Sequence, residues 1–135
     1  MYNKNMLNFN SIMIGTSQPK VLAEFYEKVF AKKPDMQDGS WAGWKVGSTF
    51  FNLGEHSEVN GSAKEPQRVI FNFETADVKG EFARLKELGA KVIKEPYGML
   101  ENGELSDAEG AMWIATLADP DGNYFQLMSP WKNEG

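Results

Sequence analysis

Leu117-Ala118-Asp119-Pro120-Asp121-Gly122-Asn123-Tyr124-Phe125-Gln126-Leu127-Met128 reads as strand, tight turn, strand. Pro120 fixes φ at the first central turn position and Asp121 suits the second. Gly122 takes a positive φ without steric cost, and the Asp119 side chain can accept from the turn amides. Met112 to Leu117 and Tyr124 to Met128 supply the two arms of a hairpin.

Working back from this hairpin, Pro96 to Gly110 reads as a long acidic loop and Lys91 to Ile93 as a strand. Before them Val78, Phe82, Leu85 and Leu88 recur at helical spacing, capped by Thr75 or Asp77 and stopped by Gly89 as a left-handed C-cap. Val69 to Glu74 is the strand that precedes this helix, and the polar stretch Gly54 to Gln67 joins it to the first half. The first half has the same order. Residues 6–15 form a strand, and Thr16-Ser17-Gln18-Pro19 opens a helix with Ser17 or Gln18 as cap and Pro19 in the first turn. Val21, Leu22, Phe25 and Val29 share a helical face, Pro34 ends the segment, and Asp38-Gly39 is a turn. Ser40 to Val46 and Ser48 to Leu53 then form a hairpin around Gly47. The helices echo each other in letters, Glu24-Phe25-Tyr26-Glu27-Lys28 against Glu81-Phe82-Ala83-Arg84-Leu85.

These elements predict an α+β fold of two βαβββ modules within one domain, residues 1–135: module 1 over 6–56, a linker over 57–67 and module 2 over 68–131. A βαβββ half leaves a curved mixed sheet with one open face, so the two halves are expected to enclose a cavity.

The chain has 135 residues, enough to bury roughly two thirds of its unfolded surface. A net charge of −5 without a basic run argues against nucleic acid as a partner. The absence of cysteine excludes a disulfide scaffold, a thiolate metal site and a cysteine nucleophile. The N-terminal residues lead into no long apolar run, so neither a signal peptide nor a membrane association is expected, and the cytoplasm is the default location. Four Trp, four Tyr and nine Phe are enough both to fill a core and to line a pocket.

Four marks in this order give the chain a family likeness. They are the first strand with its helix carrying Phe25-Tyr26, the Phe73-x-x-x-Asp77-Val78 approach to the second helix, Leu88-Gly89 at its end, and Asp119-Pro120-Asp121-Gly122-Asn123. With them the chain resembles the vicinal oxygen chelate superfamily of glyoxalases, extradiol dioxygenases, fosfomycin-resistance enzymes and bleomycin-binding proteins. Metalloenzymes of that superfamily hold a divalent ion through inward-facing His, Gln or Glu residues from each half. The resemblance places those positions on Ser11 (seven residues before Gln18), near Asn52 with Glu55 just beyond, on Ile70 (seven before Asp77) and on Gln126. Isoleucine has no donor atom, and serine and the amides are neutral, weaker donors. No cofactor and no divalent metal are therefore expected. A shifted site using His56, Glu55, Glu74 and Gln126 is the alternative.

If the carried-over positions face inward, strand alternation adds their neighbours. Ser11 brings Met13, Asn52 brings Phe50, Ile70 brings Asn72 and Glu74, and Gln126 brings Met128. Trp41, Trp44 and Trp113 join them if their strand parity allows. The expected ligand-binding residues are thus Ser11, Met13, Trp41, Phe50, Asn52, Ile70, Asn72, Trp113, Gln126 and Met128, an apolar and aromatic lining with a few hydrogen-bonding points. It suits a small apolar or aromatic ligand, and the resemblance implies a homodimer. The alternative function is a lyase- or isomerase-like enzyme acting on a small oxygenated substrate, with Glu74 and Gln126 as candidate catalytic groups. A third reading is an accessory domain whose cavity is filled. The acidic residues Glu95, Glu101, Glu104, Asp107 and Glu109 form either a solvated loop or an acidic groove like that of bleomycin-binding relatives.

Overall fold

A computed structural model describes residues 7–130. Met6 and Trp131, at the ends of the expected modules, lie outside the described residues. The chain divides into two compact units, Met1–Gly61 and Ser62–Gly135.

The first unit runs β1 (Ser11–Thr16), α1 (Pro19–Phe30), β2 (Met36–Asp38), β3 (Trp41–Val46) and β4 (Thr49–Glu55). Its sheet has the order β1-β4-β3-β2, with β1 and β4 parallel and the other neighbours antiparallel. The parallel pair is possible because α1 and the β2–β3 hairpin intervene between its strands. Both hairpins have two-residue loops, Gly39-Ser40 and Gly47-Ser48, whose glycines sit at φ +61° and +60°. A positive φ at the first loop position matches the strand twist and favours glycine.

β2 is a finding against the sequence expectation, which passed from Pro34 directly to the Asp38-Gly39 turn. It is a three-residue edge strand, exposed along its length, so no apolar alternation announces it. Helix α1 also differs in detail. Gln18 is the cap residue but makes no side-chain cap bond; its N–H instead donates to Thr16 Oγ1 at 3.0 Å. The buried helix positions are Leu22, Tyr26 and Val29, whereas Val21 is exposed and Phe25 only half-buried. Tyr26 centres an aromatic cluster, with ring centroids 4.7 Å from Phe51 and 5.6 Å from Phe30. Trp44 lies 5.5 Å from Phe30, is fully buried, and donates its Nε1–H to Lys32 O at 3.0 Å.

The second unit repeats the order: β5 (Phe71–Glu74), α2 (Val78–Glu87), β6 (Lys91–Met99), β7 (Met112–Ala118) and β8 (Tyr124–Met128). Its sheet order is β5-β8-β7-β6, with β5 and β8 parallel. Helix α2 buries Val78, Phe82 and Leu85, the same i, i+4, i+7 spacing as α1. The structural equivalent of Phe82 is therefore Tyr26, and the letter echo that aligned Phe82 with Phe25 is out by one residue. Asp77, rather than Thr75, is the cap: its Oδ1 accepts from Gly80 N at 3.0 Å. Gly89, at φ +102°, ends the helix, with Gly89 N–H to Lys86 O and Ala90 N–H to Leu85 O closing a Schellman pair. Leu88 lies past the last turn and is exposed.

Strand β6 continues to Met99, so Pro96 to Met99 belongs to the sheet and not to the acidic loop. Register shifts on either side of Lys94 accommodate Pro96 on this edge strand. The closing turn is as expected. Asp119 Oδ1 accepts from Asp121 N (2.9 Å) and Asn123 N (3.0 Å), and Oδ2 accepts from Asn123 Nδ2 (3.0 Å). Gly122 lies at φ +84°. The strand before α2 starts at Phe71, so Ile70 precedes the sheet.

Candidate functional site

In each unit the helix covers one sheet face and leaves the other open. In the first sheet Phe51, Leu53, Trp44 and Ile14 face the helix, so the residues alternating with them form the open face. These include Ser11, Met13, Phe50, Asn52 and Trp41, all expected as site residues. Trp44 is not among them, because its parity puts it under α1.

Asn52 is the centre of this face. It is buried, its Oδ1 accepts from Trp41 Nε1–H at 3.0 Å, and its Nδ2 donates to Ile12 O at 2.9 Å. The amide thus locks the indole across β3 and β4. The Phe50 ring lies 5.9 Å from the Trp41 ring at 41°. Gly43 leaves room for the Phe50 ring, and Gly54 lies beside Met13 and Trp41. At Gly43 a Cβ would collide with the Phe50 ring, and at Gly54 it would touch Met13 Cε at 3.4 Å and Trp41 Cδ1 at 3.5 Å. Met13 is 54% exposed, an apolar side chain presented outward.

A hollow of about 660 Å³ opens at the Gly47-Ser48 end, lined by Met36, Lys45, Phe50, Asp35 and Asn10 among others. Met36 was not anticipated, since β2 itself was not, and Lys45, on the expected strand Ser40 to Val46, was not counted with its face. The Asp38-Gly39 turn signal followed by Trp41 implies a partner strand before it and could have found Met36. Asp35 Oδ2 accepts from Lys45 N at 2.7 Å and from Lys32 Nζ at 3.0 Å. These two bonds, the backbone one first, hold the Asp35 carboxyl below the usual carboxylate range.

In the second sheet Phe73 meets Phe125 at 5.7 Å, and the helix-facing residues continue through Leu127 and Ala115. Asn72, Glu74, Gln126 and Met128 share the opposite face. Gln126 Nε2 donates to Thr116 Oγ1 at 3.2 Å. Glu74 is exposed, and Ile70 is half-buried just outside the strand. Trp113 is a correction. It lies on the helix side, where Lys79 Nζ sits 4.0 Å from its ring centroid, and its parity with Ala115 and Leu117 keeps it there.

Among the described residues no three His, Cys, Asp or Glu side chains gather as a metal-holding group. Glu55 and His56 are exposed, and His56 Nδ1 accepts from Glu58 N–H at 3.1 Å, a local turn contact. The positions that the resemblance marks for metal ligands do not fit a divalent ion: Ile70 has no donor, and both ends of the Asn52 amide are engaged. The acidic loop folds back on itself, with Leu100 N–H to Glu104 O and Ser106 N–H to Gly98 O, and its carboxylates are exposed. No helix among the described residues is long and apolar enough to cross a membrane.

Several solved structures share this architecture. A conserved domain protein has 22% identity and a TM-score of 0.70, covering 93% of this chain and 100% of its own. A glyoxalase/bleomycin resistance protein from Albidiferax ferrireducens has 18% identity and a TM-score of 0.68, covering 90% and 98%. A glyoxalase/bleomycin resistance protein/dioxygenase family enzyme from Burkholderia phytofirmans has 19% identity and a TM-score of 0.68, covering 91% and 98%. At these identities the likeness is one of fold. No curated protein matches the chain in sequence. The family model described as a glyoxalase-like domain matches residues 11–128, from the first residue of β1 to the last of β8. The chain belongs to this glyoxalase-like family, within the vicinal oxygen chelate superfamily.

Proposed function

We propose that the protein is a metal-free, small-molecule-binding member of its family, holding an apolar or aromatic ligand against the open face of the first sheet. The observation that carries this reading is the state of Asn52. At a position where the family likeness implies a metal donor, the amide oxygen already accepts the Trp41 indole N–H and the amide nitrogen is tied to Ile12 O. A cation there would compete with the Trp41 N–H for Oδ1, and displacing that bond would leave a half-buried indole N–H without a partner, at a cost of about 1–3 kcal/mol. What the bond creates is a fixed aromatic surface: Trp41 beside Phe50, with Met13 at hand. Fixed rings lose little freedom when a flat ligand stacks on them. Two of the similar structures carry both glyoxalase and bleomycin resistance in their names; the Asn52 geometry favours the binding role over the catalytic one. The enzyme reading would rest on Glu74 and Gln126, but Glu74 is exposed and Gln126 is engaged with Thr116.

The test begins with elemental analysis of protein purified without chelators or a histidine tag, and thermal shifts with nickel, zinc and manganese. The expected result is no stoichiometric metal and no shift; near-stoichiometric metal overturns the reading. Screening aromatic compounds by Trp fluorescence follows, with Trp41→Phe expected to remove most of the ligand-dependent change. The same reading takes the protein as a homodimer, which sedimentation velocity checks.

A further inference from the structure

The hollow at the Gly47-Ser48 end of the open face combines apolar surface with an uneven charge. Met36 and Phe50 are its large apolar lining residues. Asp35 and Lys45 line it, and Lys32 is bonded to both. Asp35 and Lys32 neutralise each other at 3.0 Å, and Lys32 Nζ donates further to Lys45 O at 3.1 Å. The Lys45 ammonium is left over. It is exposed, it enters no ion pair among the described residues, and its charge is the weakest of the influences on Asp35. The next carboxylate along β2, Asp38, is opposite Trp41 at the far end of that strand. So in a chain of net charge −5 the cluster of Lys32, Asp35 and Lys45 beside this hollow carries one net positive charge.

Lys45 and Phe50 are direct cross-strand partners on one face. Such partners hold their Cβ atoms about 4.5–5.5 Å apart, about the span of a benzene ring and its carboxyl group. We propose that this hollow is the subsite for an acidic group. The ligand class is then an amphipathic organic anion, an aromatic carboxylate, with its ring on Phe50 and Met36 and its carboxylate at Lys45 Nζ. Ser48, Thr49 and Asn10 also border the same hollow. This inference rests on the open face being a binding surface, and the test separates the two.

The probes are 2-naphthoate and its neutral isostere 2-naphthamide, titrated by Trp fluorescence into the full chain at low salt. An exposed ion pair supports about a threefold to fivefold preference for the carboxylate. That preference is expected in the wild type, retained in Lys45→Arg and lost in Lys45→Met. Lys45→Met keeps the backbone N–H that Asp35 accepts from, so the fold is not at risk from that bond. Equal affinity for both probes in the wild type, or a preference that survives in Lys45→Met, overturns the subsite and leaves the open face standing. Binding of neither probe overturns the open face and the subsite together.

Discussion

The Phe50 ring occupies the space that a side chain on Gly43 would fill. A Cβ built at Gly43 overlaps Phe50 Cζ and Cε2 and comes within 3.2 Å of Asn52 Cβ. Gly43→Ala must therefore push the ring off its strand partner's face. The expected cost is about 1–3 kcal/mol, as for other overpacked sites. Urea denaturation should show it, together with weaker ligand-dependent quenching of Trp fluorescence.

Asn52 and Trp41 are coupled through one hydrogen bond, and removing its donor strands a buried acceptor. Trp41→Phe is expected to destabilise the protein by about 1–3 kcal/mol, part of it lost ring area and part the unpaired Oδ1. Asn52→Leu alone should cost a similar amount. The double variant should cost less than the sum, because the second change no longer leaves a polar group unpaired.

At the start of α2, Gly80 sits where the Asp77 carboxylate reaches back, and a Cβ there would collide with that carboxylate. Gly to Ala inside a helix ordinarily stabilises by up to about 1 kcal/mol. In the wild type Gly80→Ala is expected to give no gain, since the cap must swing away and its bond is worth about as much. In an Asp77→Ala background the same change should stabilise. Thermal melts of the four proteins check this reversal of sign.

The Asp35 carboxyl is held low by the Lys45 N–H and then by the Lys32 ammonium. A depressed folded-state value means that this contribution is complete above the unfolded carboxyl pKa of about 4. It is lost as the pH falls through the lower folded value. Asp35→Asn should therefore lower the urea midpoint by a constant amount near neutral pH. The difference from wild type should shrink in the acid range below about pH 4.

The Asp119 carboxylate accepts three hydrogen bonds within its own turn. Asp119→Ala leaves two backbone N–H groups without their acceptor, and a loss of about 2–4 kcal/mol is expected in chemical denaturation. Asp119→Asn should recover only part of it, since its amide can accept through one oxygen only.

How much of this was legible in the sequence depended on whether a residue's role is set locally. The Asp119–Asn123 turn and the Gly89 helix stop are local chemistry and formed as their letters implied, while the cap, narrowed to Thr75 or Asp77, falls to Asp77. Faces set by alternation were legible once the family likeness had put Ser11 and Asn52 on the inner face, and alternation then brought Met13 and Phe50 with them. Parity failed at Trp44 and Trp113, whose large rings suit either face and whose side is decided by what the helix brings: Phe30 to one, Lys79 to the other. Adjacent aromatics defeated the helical period at Phe25 and Tyr26, where a shift of one position exchanges the buried ring. The strand Met36–Asp38 is too short and too exposed to leave a pattern, and the Lys45–Met36 hollow was hidden with it. Strand β6 was cut short at Ile93 because Pro96 signals a break, while on an edge strand a bulge absorbs it.

The Ala63 N–H donates to Asp121 O at 2.8 Å, and a Cβ at Gly122 would come within 3.8 Å of Ala63 N. The segment between the half-chains is thus not a uniform tether: its last part is stitched to the hairpin turn of the second unit. Anyone dividing the gene to express or recombine the halves should cut upstream of Ser62. A break at residue 67 would strip the turn of a strut that belongs to it.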